Sequence, residues 1–221
     1  MTLPVDFVAA RLDVPPAEVC ASAEILSDDE RQKARAFTFE VTRRRFVVAR
    51  GTLRRLLAVR LGVEAKAIDL VYGKHGKPAL GGRLAASGLR FNVSHCDDVA
   101  VYAFTRGCEV GVDVEAVRWF ADADDVASRF FSVVENREYA RLHALQKPEG
   151  FFNCWTRKEA FIKALGSGLY YPLDAFDVTL APDEPPKILR VRNTSGERCR
   201  WTLQSFSPAS GYVAAAAIEK S

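Results

Sequence analysis

Three apolar runs, residues 89–93, 99–104 and 109–114, follow one another with only short links, 94–98 and 105–107. Each has the length and composition of a β-strand. A parallel neighbour would need a crossover of a dozen residues or more. The links therefore force antiparallel pairing, and a three-stranded meander is the expectation. Helical periodicity precedes it. Ser27-Asp28-Asp29-Glu30 has the pattern of a capping box, opening a helix over 28–36. A second helix is predicted over 42–61, where Phe46, Ala49, Leu53, Leu56, Leu57 and Leu61 recur at helical spacing and Gly62 marks the stop. Residues 3–10 and 68–72 are candidate strands, and 73–78 is a turn-rich loop.

After Glu115 the order repeats. Helices are expected over 122–130, 133–145 and 148–165, the last with Pro148 in its first turn and Gly166 at its end. Strands are expected over 176–180, 187–191, 200–206 and 212–218. Gly211-Tyr212-Val213-Ala214 also echoes Asp98-Val99-Ala100-Val101. The expected fold is α+β: two similar halves, 1–115 and 116–221, in a pseudo-twofold arrangement, each with helices packed on an antiparallel sheet. A single α+β domain is the alternative that these residues leave open.

The chain has 221 residues, 48% of them hydrophobic, enough for a sizeable core. A net charge of +3 suits anionic ligands mildly and carries no mark of a nucleic-acid-binding tail. The five cysteines, Cys20, Cys96, Cys108, Cys154 and Cys199, form no C-x-x-C pair. They suggest neither a disulfide framework nor a zinc site, and imply a reducing cytoplasm. The N-terminus lacks a signal-peptide layout, and no apolar run approaches the roughly 20 residues that span a bilayer.

Two constellations carry chemistry. In Gly111-Val112-Asp113-Val114-Glu115 the valines would face a core, and both acids would share the other face of the strand. Two carboxylates so placed repel unless a cation such as Mg²⁺ lies between them, or unless the strand end is solvated. In Trp155-Thr156-Arg157-Lys158-Glu159-Ala160-Phe161-Ile162-Lys163, residues 155, 159 and 163 share one helix face. Glu159 and Lys163 could be an ordinary exposed pair. The apolar company of Phe151, Phe152, Phe161, Ile162 and Leu165 argues instead for burial, where both charges need partners. Weaker signals are Ser94-His95 at a strand end and the basic residues Arg31, Lys33, Arg35, Arg43, Arg44, Arg45 and Arg50, which suit phosphate, although such a cluster is usually a solvated face. There is no phosphate-binding Gly-x-x-x-x-Gly-Lys-Ser/Thr loop.

In this order the blocks resemble the Sfp-type 4′-phosphopantetheinyl transferase family. The resemblance rests on Val110-Gly111-Val112-Asp113-Val114-Glu115 and on Trp155-x-x-Lys158-Glu159-Ala160-x-x-Lys163. It is joined by Gly76-Lys77-Pro78, Phe91-Asn92-Val93-Ser94-His95, Gly166-Ser167-Gly168-Leu169 and Pro172-Leu173-Asp174-Ala175-Phe176. It implies a site in the cleft between the halves, with coenzyme A as substrate and an acyl or peptidyl carrier protein as acceptor. Asp113, Glu115 and Glu159 would hold Mg²⁺. Glu159 would also help deprotonate the carrier serine, and Lys163 would neutralise phosphate with Lys158 beside it. Ser94, His95, Lys77, Lys33 and Arg45 would contact the nucleotide end. Lys33, Arg45 and His95 would lie at its 3′-phosphate. The family's lysine three residues before Lys33 is Glu30 here, with Arg31 a candidate substitute. The resemblance implies a cytoplasmic monomer. A non-catalytic coenzyme A or carrier-binding module is the alternative reading, and it would be expected to have lost at least one of Asp113, Glu115, Lys158, Glu159 and Lys163.

Overall fold

The computed structural model describes residues 5–192 and 200–220. Residues 3 and 4 of the expected opening strand, and Cys199, lie outside them. Strand β1 (Asp6–Arg11) leads into helices α1 (Pro16–Ala23), α2 (Asp28–Arg35) and α3 (Glu40–Leu61), then a small hairpin of β2 (Leu70–Tyr72) and β3 (Pro78–Leu80), then β4 (Leu89–Cys96) and β5 (Val99–Arg106). The second half follows the same order. It runs from β6 (Val110–Ala116) through α4 (Ala123–Phe130), α5 (Val133–Arg141) and α6 (Lys147–Leu165), then β7 (Phe176–Val178), β8 (Ile188–Val191), β9 (Trp201–Phe206) and β10 (Tyr212–Glu219).

Two three-stranded antiparallel sheets, in the orders β1-β5-β4 and β6-β10-β9, lie face to face. Strand alternation builds the layers. In β5, Val99, Val101 and Ala103 join Val110, Val112, Val114, Ala214, Ala216 and Ile218 in the core between the sheets. The opposite face of β5, with Ala100, Tyr102 and Phe104, packs on Leu53 and Leu57 of α3. In β10 the alternation is mirrored: Val213, Ala215 and Ala217 turn towards Phe161 and Ile162 of α6. The result is an α+β sandwich of helix, sheet, sheet and helix, with the halves in pseudo-twofold relation.

The expected capping box is present. The Ser27 N–H donates to the Glu30 carboxylate at 3.0 Å. Gly62 and Gly166 take left-handed conformations that end α3 and α6. The expected meander is corrected, since β6 does not continue from β5. Both edges of β5 are already occupied by β1 and β4, so no ladder edge is free, and β6 crosses to pair with β10. Helix α1 was not expected; its one local sign is Pro15-Pro16, with Pro16 pre-set for a first helical turn. The helix expected over 133–145 ends at Arg141, because Leu142 turns extended (φ −64°, ψ 141°) before a short turn over 144–146. β3 lies at the end of the segment expected as loop, and the strands expected over 176–180 and 187–191 are shorter.

Candidate active site

The site forms where the two sheets and α6 meet. Along β6, Gly111, Asp113 and Glu115 share the face turned away from the inter-sheet core, which is the face α6 covers. Gly111 is the point of closest approach. A Cβ built there would lie 2.1 Å from the Ala160 carbonyl oxygen and 2.2 Å from the Ala164 nitrogen. Only glycine lets α6 lie this close, and that closeness brings Glu159 and Lys163 over Asp113 and Glu115.

Asp113 is buried. Its Oδ1 accepts from the Lys163 ammonium at 2.5 Å and from the Ser94 hydroxyl at 2.9 Å. Lys163 also donates to Ser94 Oγ at 3.0 Å. The lysine thus spans from α6 to β6 and β4, and is not an ordinary exposed partner for Glu159. Asp113 Oδ2 is buried with no hydrogen-bond partner among the described residues. Burial, then the neighbouring Asp113 carboxylate, pushes the Glu159 carboxyl up to about 7, with Lys163 opposing. Burial and Asp113 raise Glu115 in the same way. Burial and the Lys163 charge lower His95, which favours its neutral imidazole.

These carboxylates satisfy a test for a hard divalent cation. They are oxygen donors from two elements, the Asp113 charge helps raise both Glu115 and Glu159, and one buried oxygen lacks a partner among the described residues. No three His, Cys, Asp or Glu side chains form a ready-made metal cluster among the described residues. Mg²⁺ is commonly held by one or two carboxylates plus substrate phosphates and water, so a closed protein cage is not required.

Two cavities adjoin this centre. One, of about 340 Å³, is lined by Lys33, Arg50, Ser94, His95 and Lys163 together with Phe37, which follows α2, and apolar residues of α3 and β4. The other, of about 170 Å³, is bordered by His75, Lys77, Pro78, Asn92 and Lys163 and shares Val93 with the first. Lys77 bonds Glu109 at 2.8 Å and the Ala164 carbonyl at 3.0 Å, tying the loop before β3 to the end of α6. Asn92 accepts from the Val112 N–H at 2.9 Å and so locks β4 to β6. The sequence block containing Asn92 was recognised, but not this bridging role.

Three expected contacts are corrected. Lys158 does not line the cleft. It is 0% exposed, on the inner side of α6, ion-paired with Glu135 at 2.7 Å and donating to the Leu173 and Phe176 carbonyls at 2.7 Å. One position along a helix turns a side chain by about 100°, so Glu159 faces the cleft while Lys158 faces the core. Arg45 is held by both oxygens of Asp13, at 2.9 and 2.7 Å, and does not line the cavity wall. Arg31 donates to the Ala23 carbonyl and pairs with Asp28, so it does not take the place of the lysine replaced by Glu30.

Residues 109–217 match the model of the 4′-phosphopantetheinyl transferase superfamily, and residues 15–106 match that of the 4′-phosphopantetheinyl transferase N-terminal region. The chain is 39% identical over 210 residues to the 4′-phosphopantetheinyl transferase HetI of Nostoc sp., covering 94% of this chain and 84% of that protein. It is 31% identical to a 4′-phosphopantetheinyl transferase of Bacillus subtilis, over 72% of this chain and 68% of the relative. It is 30% identical to a putative 4′-phosphopantetheinyl transferase of Synechocystis sp., over 82% and 72% respectively. Two family models that together match most of the chain, and relatives 30% or more identical over more than two thirds of it, lead to one assignment: this chain belongs to the 4′-phosphopantetheinyl transferase family of enzymes.

Proposed function

We propose that the protein transfers 4′-phosphopantetheine from coenzyme A to a serine of an acyl or peptidyl carrier protein, with Mg²⁺, releasing 3′,5′-ADP. The observation that carries this reading is the gathering of Asp113, Glu115 and Glu159 around Lys163, with Asp113 Oδ2 buried and unpartnered among the described residues. Bare buried carboxylate oxygens also occur in the ion pairs of Glu30 and Asp177, so what sets this centre apart is the two further acids beside Asp113.

In the reaction, the serine oxygen forms a bond to the β-phosphorus while the bond from that phosphorus to the leaving 3′,5′-ADP breaks. Neither partner is reactive at neutral pH, so positioning and charge neutralisation supply most of the acceleration. Asp113, Glu115 and Glu159 would hold Mg²⁺, which when bound neutralises pyrophosphate charge as a Lewis acid. Lys163, fixed by Asp113 and Ser94, presents a positive charge to the same phosphates. Glu159, on the face of α6 that meets β6, would accept the serine proton directly or through a water. His95, Lys33 and Lys77 line the cavities on either side of Lys163 and would take the nucleotide end.

We further propose that one chain suffices, since it carries both halves, and that it works in the cytoplasm. Its free Cys20, Cys96, Cys108 and Cys154 support a reducing setting. No helix among the described residues is long and apolar enough to cross a membrane.

The test is chromatographic detection of 3′,5′-ADP when the protein is mixed with coenzyme A, an apo carrier protein and Mg²⁺. Release that depends on the carrier and stops with EDTA is expected. Tight coenzyme A binding without any release would favour the non-catalytic binding module.

A further inference from the structure

We infer that Asn92 is a positioning residue for the transfer reaction: by gripping the β6 main chain at Val112 from β4, it fixes where Asp113 stands relative to Ser94 and Lys163. This rests on the proposed function, because it gives a residue outside the reacting groups the task of holding them in register.

β4 and β6 belong to different sheets and share no backbone ladder. Every second side chain of β4 nevertheless reaches β6 or the residue just before it. Arg90 pairs with Glu109 at 3.2 Å. The Asn92 carboxamide oxygen accepts from the Val112 N–H at 2.9 Å. The Ser94 hydroxyl donates to Asp113 at 2.9 Å. The Cys96 thiol bonds the Glu115 carboxylate. These contacts fall in the same order along both strands, so β4 of the first half runs beside β6 of the second in the same direction.

Asn92 differs from the other three. They hold side chains, each of which turns about its own bonds, whereas Asn92 holds main chain. β10 occupies one edge of β6, and the Val112 N–H points from the other. Fixing that peptide fixes the next residue, Asp113, whose carboxylate meets Ser94, two positions along β4 from Asn92, and Lys163 of α6. Packing does not account for an amide here. Asn92 is 4% exposed and touches Val112, a member of the apolar core between the sheets. A buried amide is unfavourable unless it is hydrogen-bonded. Elsewhere the sheets meet through apolar pairs, as Phe7 of β1 meets Phe206 of β9. A hydrogen bond supplies what such pairs lack, a defined direction and register.

The experiment compares wild type and Asn92→Ala, both as the full chain, by calorimetric binding of coenzyme A and by steady-state transfer to an apo carrier protein with Mg²⁺. Asn92→Ala should lower kcat by on the order of tenfold or more, since a misplacement of about 1 Å is enough for that. Its Kd and KM for coenzyme A should stay within about twofold of wild type, because no ligand contact is removed. Asn92 also borders the smaller cavity, so direct contact with the ligand is the alternative that this split separates. Weakened coenzyme A binding with a wild-type kcat would assign Asn92 to that contact and overturn the inference. A folded Asn92→Ala protein with wild-type kcat and binding overturns it equally, and both outcomes leave the proposed function standing. If Asn92→Ala does not fold, amide hydrogen exchange of the wild type decides. The Val112 N–H should exchange as slowly as the N–H groups paired between β6 and β10, and exchange as fast as an open strand edge overturns the inference. Wild type that binds coenzyme A without transferring from it overturns the proposed function, and this inference with it.

Discussion

Asp113 carries the most consequence per atom. One of its oxygens is shared by Lys163 and Ser94, and the other is buried with no partner among the described residues. Asp113→Ala should therefore lower transfer by at least about a hundredfold, because it removes a proposed metal ligand and releases Lys163 together. Its fold should persist, as a melting curve would verify. Glu159 makes a pH prediction. Its carboxyl is raised from an ordinary 4.5 to about 7, so the folded state holds a proton that the unfolded state has lost. Its favourable contribution is full below pH 4.5, declines as pH rises to about 7, and is gone above that. Unfolding in urea with EDTA should show Glu159→Gln more stable than wild type at pH 8, by on the order of 2–3 kcal/mol, and equal to it near pH 4.5. A stability difference independent of pH would contradict this. At this scale much of the site was legible in the sequence, because strand and helix periods fix which side chains share a face. Asp113 and Glu115 on one face needed only a period of two. Lys158 was misplaced because its motif says nothing of Glu135, 23 positions earlier, which claims it for the core. Arg45 and Asp13 were equally invisible to each other, since only the folded packing of α3 on the turn after β1 joins them.

Helix α6 is where element-level forces decide function. Its rotation is fixed on the inner side by Lys158, which ties it through Glu135 to the first turn of α5 and to the Val178 N–H of β7. Its distance from β6 is fixed by Gly111. Gly111→Ala should push α6 off β6 by the size of a methyl group, separating Glu159 from Asp113. A loss of about a hundredfold in transfer is expected, with a folded protein by circular dichroism. Wild-type activity in that variant would show that the close approach is not needed. Removing one partner of the buried pair is a different case. Lys158→Met leaves Glu135 charged in the core and should cost about 3–5 kcal/mol in urea unfolding, whereas Lys158→Met with Glu135→Gln should recover part of that. The length and ends of α6 were readable from Pro148 and Gly166. Helix α1 was not, because eight residues with Ser22 as their one buried side chain leave almost no periodic signal.

At the scale of the whole molecule, both halves repeat one plan of strand, helices and antiparallel hairpins, and their sheets share a core. The expected division after residue 115 would separate β6 from β10, its partner in the second sheet. We read the division as lying between β5 and β6, near Gly107. The sequence concealed this because the β5–β6 link is as short as a hairpin's, and only the occupied edges of β5 send β6 elsewhere. Since Val99, Val101, Val112 and Val114 bury one another, neither half should fold alone. Urea unfolding of the whole chain should follow one transition by both fluorescence and circular dichroism, and two separated transitions would contradict a shared core. The cleft between the halves is the reason for this architecture: α2, α3 and β4 supply basic groups, while β6 and α6 supply the carboxylates and Lys163. The most direct measurement of what that cleft does is the intact mass of an apo acyl carrier protein after incubation with this protein, coenzyme A and Mg²⁺, beside an EDTA control. A gain of one phosphopantetheine, absent with EDTA and absent with Asp113→Ala, is the result predicted. An unchanged carrier mass, across carriers from fatty acid, polyketide and peptide synthesis, would contradict the account.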